Sequence, residues 1–156
     1  MTNYRIARQI FAAMLISSAL AMIARADNIP GWDADTFNKA STIKIMTTEP
    51  DVGEHWFNLW VVVIDGQPYV RLGDRSYGRI QRNTTSPFVK LKVGDQEFDK
   101  VKIVEVPDMQ DKVAAAMADK YWLDFMVRHQ SHPAVARLVP EASTNAGGGE
   151  SKSVAN

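Results

Sequence analysis

The feature that most constrains the fold is a pair of apolar segments joined by a two-residue turn. Trp56–Ile64 (WFNLWVVVI) has the length of a strand and almost no polar residue, and Gln67–Leu72 follows it after Asp65-Gly66. An Asp-Gly pair is a strong signal for a tight β-hairpin, because both of its residues tolerate the left-handed backbone of the turn. The sequence therefore predicts a hairpin whose first strand is covered on both faces.

Further short strands are indicated on either side of the hairpin. Thr42–Thr48 is β-branched and roughly alternating, and Phe88–Val93 alternates apolar residues with lysines. Both patterns are typical of strands with one buried face. A turn then leads into a strand over Glu97–Val106. The apolar pattern of that strand changes phase near Ile103-Val104, which predicts a β-bulge at a barrel corner.

One major helix is predicted near the end of the chain. Asp108 is an expected N-cap, and the apolar residues that follow recur every four positions: Met109, Val113, Met117, Tyr121 and Phe125. Such a stripe is typical of a helix face that packs on the core. We expect a bend near Tyr121–Asp124 and a last short strand over Ala134–Val139. Five or six antiparallel strands with one helix indicate a mainly β (α+β) domain, built as a small barrel or a highly curved sheet.

The first 26 residues have the three parts of a secretory signal peptide. Arg5 and Arg8 precede the uncharged run Ile10–Ile23, and Ala24-Arg25-Ala26 provides small residues before a cut ahead of Asp27. The apolar run is shorter than the roughly 20 residues that a membrane-spanning helix needs. We therefore predict export to the periplasm or beyond the cell. A retained amphipathic anchor and a buried core helix are the alternatives.

Composition supports this division of the chain. The sequence has 18 basic and 18 acidic side chains, but residues 1–26 contain three Arg and no acid, so the mature chain keeps 15 basic against 18 acidic groups. We expect an irregular opening segment over 27–41, one domain over 42–140 and a disordered tail over 141–156. The absence of cysteine excludes disulfides, thiolate metal sites and a cysteine nucleophile.

The most unevenly charged part of the mature chain is Arg71–Lys92. It contains six basic residues and one acid, Asp74, and its Gly73–Asn83 part is expected to be a long connection. Such a patch attracts anions, and arginine fits phosphate or carboxylate through paired hydrogen bonds. The sequence therefore favours an anion site here, with a solvated, salt-bridged connection as the alternative. Trp56 and Tyr77, near strand ends, are candidates to line a planar ligand.

Other chemistries have little support. His129 and His132 are spaced as a weak metal motif but lack a nearby carboxylate, so we predict no metal site. No nucleophile-elbow, phosphate-loop or dinucleotide motif is present. The acidic mature chain and the export signal argue against nucleic acid as a partner. Asn83-Thr84-Thr85 has the form of a glycosylation acceptor, which we treat as chance unless the host is eukaryotic.

The sequence resembles the split-barrel flavin-binding superfamily of pyridoxamine-phosphate oxidase and the deazaflavin-dependent nitroreductases, and within it a set of small uncharacterised bacterial proteins. The resemblance lies in the hairpin Leu59–Arg71, the basic segment Tyr77–Asn83, the strands of Phe88–Val106, and the closing Arg-Leu-Val-Pro at Arg137–Pro140. It covers about residues 42–140. It implies a small antiparallel split β-barrel with one major C-terminal helix.

The resemblance also implies a ligand and a set of residues that bind it. Members of the superfamily hold a flavin phosphate with a strand arginine and the basic loop after it, and two subunits share the cofactor. The matching residues, with the two aromatic candidates, are Arg71, Ser76, Arg79, Arg82, Lys90, Trp56 and Tyr77. The expected ligand is FMN or a deazaflavin, held by a homodimer with oxidoreductase-like function. The alternatives are a module that binds a small anionic or planar ligand without redox chemistry, and a structural or partner-binding envelope protein.

Overall fold

A computed structural model describes residues 29–141 except Gly31 and Arg128. The predicted signal peptide and nearly all of the predicted C-terminal tail lie outside the described residues. Within them, the helices are α1 (Ala34–Lys39), α2 (Asp74–Arg82), α3 (Gln110–Lys120) and α4 (Asp124–Val127). A search of the described part of the chain finds no helix that is long and apolar enough to span a membrane.

The core of the structure is one antiparallel sheet of seven strands that curls into a half-barrel. The strands are β1 (Ile43–Glu49), β2 (Gly53–Leu59), β3 (Val61–Ile64), β4 (Gln67–Leu72), β5 (Phe88–Val93), β6 (Gln96–Glu105) and β7 (Ala134–Pro140). Their order across the sheet is β2-β1-β5-β6-β7-β4-β3. The predicted fold class is confirmed, with seven strands where five or six were expected.

The apolar run Trp56–Ile64 is not one strand, as predicted, but parts of two. The chain breaks at Trp60, so β2 pairs only with β1 and β3 pairs only with β4, at opposite edges of the sheet. A continuous apolar run does not reveal such a break, because apolarity reports burial and not the identity of the pairing partner. The break lets the chain pass directly from one sheet edge to the other, which is possible because the sheet curls.

Side chains from the end of α3 hold the backbone just after this break. The Tyr121 hydroxyl accepts from Val61 N at 3.1 Å and donates to Val61 O at 2.8 Å. The Lys120 ammonium donates to Val61 O at 2.9 Å and to Phe37 O at 3.1 Å. Burial lowers the pKa of Lys120 and raises that of Tyr121. Trp60 stacks on the Tyr121 ring with centroids 4.6 Å apart.

The Asp65-Gly66 hairpin is confirmed. Asp65 and Gly66 both have positive φ, 51° and 74°, and Ile64 pairs directly with Gln67.

The predicted β-bulge exists in β6, but not at the predicted residues. Val89 pairs with Val101 and Leu91 with Phe98, so the extra residue falls at 99–100 of β6 and not at Ile103-Val104.

The helix predictions are right in part. A 3-10 turn over Pro107–Met109 precedes α3, whose N-cap is Met109 and not Asp108. The predicted bend is confirmed, because α3 ends at Lys120 and α4 begins at Asp124. Val113 and Met117 of the apolar stripe are fully buried, in a cluster with Val62, Tyr69 and Val135 that lies outside the main barrel core.

We predict that Tyr121→Phe lowers the free energy of unfolding by about 1–3 kcal/mol. The phenylalanine ring keeps the stacking on Trp60, but Val61 N–H of edge strand β3 loses its acceptor, and a buried donor without a partner is costly. Urea denaturation measures the change. Tyr77→Phe is the matched control, because no hydroxyl hydrogen bond of Tyr77 is found among the described residues. Equal losses in the two variants would contradict the role given to the Tyr121 hydroxyl.

Candidate functional site

The connection predicted over Gly73–Asn83 is mostly a helix. Gly73 is the N-cap with extended backbone, Tyr77 N donates to Gly73 O at 2.8 Å, and the helix α2 ends at Arg82. Its apolar face is narrow: Ile80 is buried, and Tyr77 is half-buried against the barrel core. Two apolar residues three positions apart are a weak periodic signal, which explains why the sequence indicated a connection.

The N-terminus of α2 faces a cleft of about 550 Å³, which we call the α2 cleft. β2 contributes Phe57 and Leu59, α2 contributes Arg75, Ser76 and Arg79, and Ser131 comes from the segment before β7. Gly73 has no side chain to accept from the first backbone N–H groups of the helix. These groups and the helix dipole favour an anion at this end of the cleft, and the Asp74 carboxylate of the first turn opposes it.

Two hydrogen bonds organise the cleft wall. The Ser76 hydroxyl donates to Gly73 O at 2.9 Å, and the Ser131 hydroxyl donates to the Asp74 carboxylate at 2.8 Å. The second bond ties the segment before β7 to the first turn of α2. Ser76 Oγ keeps acceptor capacity and can reorient its proton toward an anion.

A buried carboxylate stands behind the cleft. Glu49, 5% exposed at the end of β1, accepts from Arg79 Nη1 and Arg82 Nε, each at 2.8 Å. The hydrogen bond from Arg82 and the two positive charges hold the pKa of the Glu49 carboxyl below its ordinary value of 4.5, against the opposing effect of desolvation. Part of the basic stretch is therefore neutralised inside the protein, which is the salt-bridged arrangement that the sequence left open as the alternative.

Arg71 lies in a neighbouring cavity of about 230 Å³, which we call the Arg71 cavity. Its guanidinium Nη2 donates to Asp124 Oδ1 of α4 at 2.5 Å, and the two side chains are only 8% and 4% exposed. His132, Trp60 and Met117 complete the walls of the cavity. Burial, followed by the Arg71 charge, lowers the pKa of His132 below its ordinary value of 6.5.

The two cavities adjoin. Asn58, Leu59 and Gln130 line both of them. A ligand whose one end lies at α2 can therefore extend toward Arg71.

The structure brings only some of the predicted site residues together. Ser76 and Arg79 line the α2 cleft, and Arg71 lies next to it but is paired with Asp124. Arg82, with its side chain 60% exposed, points to Glu49 and does not line the cleft. Trp56 and Lys90 lie outside the cleft, on the two strands that pair with Met46 of β1. The Lys92 ammonium lies 4.6 Å from the centroid of the Trp56 ring.

Sequence reasoning missed several residues of the site. Asp124, Gln130 and Ser131 follow the main helix and carry no local motif, and Glu49 comes directly after the predicted strand Thr42–Thr48, at the start of a turn-rich segment. Their positions depend on how distant elements meet. Within the described residues, no group of three or more His, Asp or Glu side chains is arranged to hold a metal ion.

Asn83 has a structural role that was not foreseen. Its side chain is buried, its Oδ1 accepts from Thr48 N at 3.0 Å, and its Nδ2 donates to Phe88 O at 2.8 Å. The amide nitrogen that glycosylation would modify is therefore already bonded to β5, and the side chain as a whole joins β5 to β1 at the end of α2.

Comparisons with solved structures give the fold. HutZ, a heme storage protein from Vibrio cholerae, matches with 13% identity over 69% of this chain and 87% of its own, at a TM-score of 0.54. The protein Rv2991 from Mycobacterium tuberculosis matches with 23% identity over 70% and 78%, at a TM-score of 0.51. An F420-H2-dependent reductase matches with 13% identity over 65% and 94%, at 0.49. No protein-family model matches the sequence, and the comparison with curated proteins gives no match.

These identities are low, so the likeness concerns the fold. The chain has the split-barrel fold that its sequence predicts, and this prediction of the fold is confirmed.

We predict that Glu49→Gln makes stability less dependent on pH in the acid range. Because the folded state holds the pKa of Glu49 below 4.5, the unfolded chain takes up its proton first as the pH falls. The stabilisation by Glu49 is therefore complete above pH 4.5 and is lost as the pH falls toward the folded-state pKa. The difference in unfolding free energy between wild type and variant should shrink over this interval, as measured by denaturation at a series of pH values.

The control for this prediction is Glu97→Gln, which removes an exposed ion pair with Lys92. Such pairs contribute little to stability, so its profile should follow the wild type. A constant difference between wild type and Glu49→Gln at every pH would contradict the assigned role.

Proposed function

We propose that this protein is an exported split-barrel protein that binds a phosphate-bearing flavin-type cofactor, FMN or a deazaflavin, in the α2 cleft. The observation that carries the proposal is the open N-terminus of α2, which lies in the cleft beside Ser76 and Arg79. Backbone N–H groups at a helix start, a hydroxyl and a guanidinium are the groups that bind phosphate in proteins.

The cleft suits such a cofactor in its volume and in the side chains that line it. Its volume of about 550 Å³ falls within the range of roughly 300–1,000 Å³ usual for small-molecule sites. Arg75, which is exposed, adds a second positive side chain at the phosphate end. Phe57 and Leu59 offer an apolar wall for a planar ring. Asp74 in the first turn is the unfavourable element, but its carboxylate is engaged by Ser131.

A bound flavin would supply the redox chemistry, and the chain would supply binding, orientation and electrostatics. In this proposal the α2 end fixes the phosphate, and Asn58, Leu59 and Gln130 direct the rest of the molecule toward the Arg71 cavity. Arg71 itself is held by Asp124, so we assign the phosphate contacts to Ser76, Arg79 and the α2 backbone.

The second candidate is a module that binds a small anionic or planar ligand without redox chemistry. The internal pairing of Arg71 and Arg79 favours it, because fewer charges are left for a cofactor with several phosphate contacts. HutZ, which is named as a heme storage protein, has the same fold, so hemin belongs among the ligands to be tested.

Export and dimerisation complete the proposal. The N-terminal pattern supports cleavage before Asp27, which mass spectrometry of the exported protein would detect as its first residue. Trp122 and Met126, 79% and 63% exposed, form an apolar surface with Leu123 that suits contact with a second copy. Light scattering of the purified protein would measure the resulting mass.

We predict that Arg79→Gln weakens FMN affinity by about 1.5–3 kcal/mol, the usual value of a hydrogen bond to a charged group. Arg82→Gln is the matched control, because Arg82 contacts the same Glu49 carboxylate but lies outside the cleft. Its affinity should stay near that of the wild type. The measurement is the change in flavin absorption and fluorescence on titration.

The same titration separates the two candidates. Wild-type protein that binds neither FMN nor F420 would overturn the flavin proposal. Binding of hemin alone would favour the second candidate.

A further inference from the structure

The ion pair between Arg71 and Asp124 lies in a cavity where the Arg71 guanidinium could otherwise bind an anionic group of a ligand. Arg71 lines the Arg71 cavity, which shares Asn58, Leu59 and Gln130 with the α2 cleft. Asp124 belongs to α4, a short helix that lies far from β4 in sequence. Its carboxylate reaches Arg71 although both side chains are nearly buried. The protein therefore supplies its own anion to this guanidinium.

The α2 cleft and the Arg71 cavity, which together form one elongated site, therefore differ in the charges that line them. The α2 end has a helix N-terminus, Arg75 and Ser76, and its one carboxylate, Asp74, accepts a hydrogen bond from Ser131 and is not paired with Arg75 among the described residues. The other end has a guanidinium whose charge is balanced by Asp124. Its remaining walls include the apolar side chains of Trp60 and Met117.

A second anion would be disfavoured at the Arg71 end. It would lie close to the buried Asp124 carboxylate, and like charges in a poorly hydrated site repel strongly. An uncharged planar group would meet apolar walls, amide donors and the remaining N–H groups of Arg71 without this penalty.

We propose that Asp124 is a specificity-determining residue. By neutralising Arg71 it reserves the Arg71 cavity for an uncharged, planar part of the ligand and leaves the α2 N-terminus as the single anion position. A ligand with one anionic end then binds in one orientation. The orientation of a flavin-type ligand rests on the proposed function, whereas the neutralisation of Arg71 by Asp124 does not.

The direct test is Asp124→Asn with inorganic phosphate as the probe. Asparagine keeps an oxygen that can accept from Arg71 but removes the negative charge, so the cavity becomes a second anion site. In NMR titrations, the wild type should respond only at the backbone amides of Asp74, Arg75 and Ser76. The variant should respond there and, saturably, at Arg71 Nε–H, with phosphate binding at this second position strengthened at least about tenfold.

Two controls make the result specific. Asp74→Asn removes a carboxylate from the same site but not from Arg71, so it should change the response at α2 without creating one at Arg71. Asp124→Asn combined with Arg71→Gln should abolish the gained site. A response at Arg71 in the wild type equal to that in Asp124→Asn, or no response in the variant, would overturn the proposal.

The combined variant also covers the case in which Asp124→Asn alone does not fold. Replacing both partners of a buried pair leaves no unpaired charge and is better tolerated than removing one. If Asp124 already neutralises Arg71 in the wild type, this double variant should bind phosphate at α2 with the same affinity as the wild type. A loss of tenfold or more at α2 would overturn the proposal. If the wild type shows no response at α2, the proposed function is contradicted. The comparison of the Arg71 Nε–H response between the wild type and Asp124→Asn still tests the role of Asp124.

Discussion

The half-barrel depends on how the chain is held at Val61, where it leaves one edge of the sheet and begins the other. An edge strand has backbone groups that no neighbouring strand satisfies. Here the Tyr121 hydroxyl accepts a hydrogen bond from Val61 N–H and donates one to Val61 C=O. The Lys120 ammonium is a second donor to the same carbonyl. Because both side chains come from the end of α3, one contact joins the helix to the strand crossing and sets the position of the segment that follows.

That segment forms one wall of the candidate site. After Tyr121 the chain turns into α4, where Asp124 meets Arg71, and then passes Ser131, which is bonded to Asp74. The α2 cleft and the Arg71 cavity are therefore bounded by elements whose placement begins at the strand crossing. The contacts that hold the strand crossing also position the wall that contains Asp124 and Ser131.

Buried carboxylates decide the electrostatics of the site. Glu49 and Asp124 are 5% and 4% exposed, and between them they pair with Arg71, Arg79 and Arg82. A stretch that is strongly basic in sequence is thus largely balanced in three dimensions. At the start of α2 the helix dipole and the exposed Arg75 favour an anion, and the Asp74 carboxylate opposes them.

The sequence by itself determined the local parts of this protein: the hairpin at Asp65-Gly66, the alternating strand Phe88–Val93, the apolar face of α3 and its bend near Tyr121. Each depends on residues a few positions apart, and their periodicity carries the information. Only the tertiary structure decided that Trp56–Ile64 divides at Trp60, and which acids meet which arginines. Arg79 and Glu49 are 30 residues apart and Arg71 and Asp124 are 53 apart. Such pairs form when the sheet curls and the helices pack, and no local pattern encodes them.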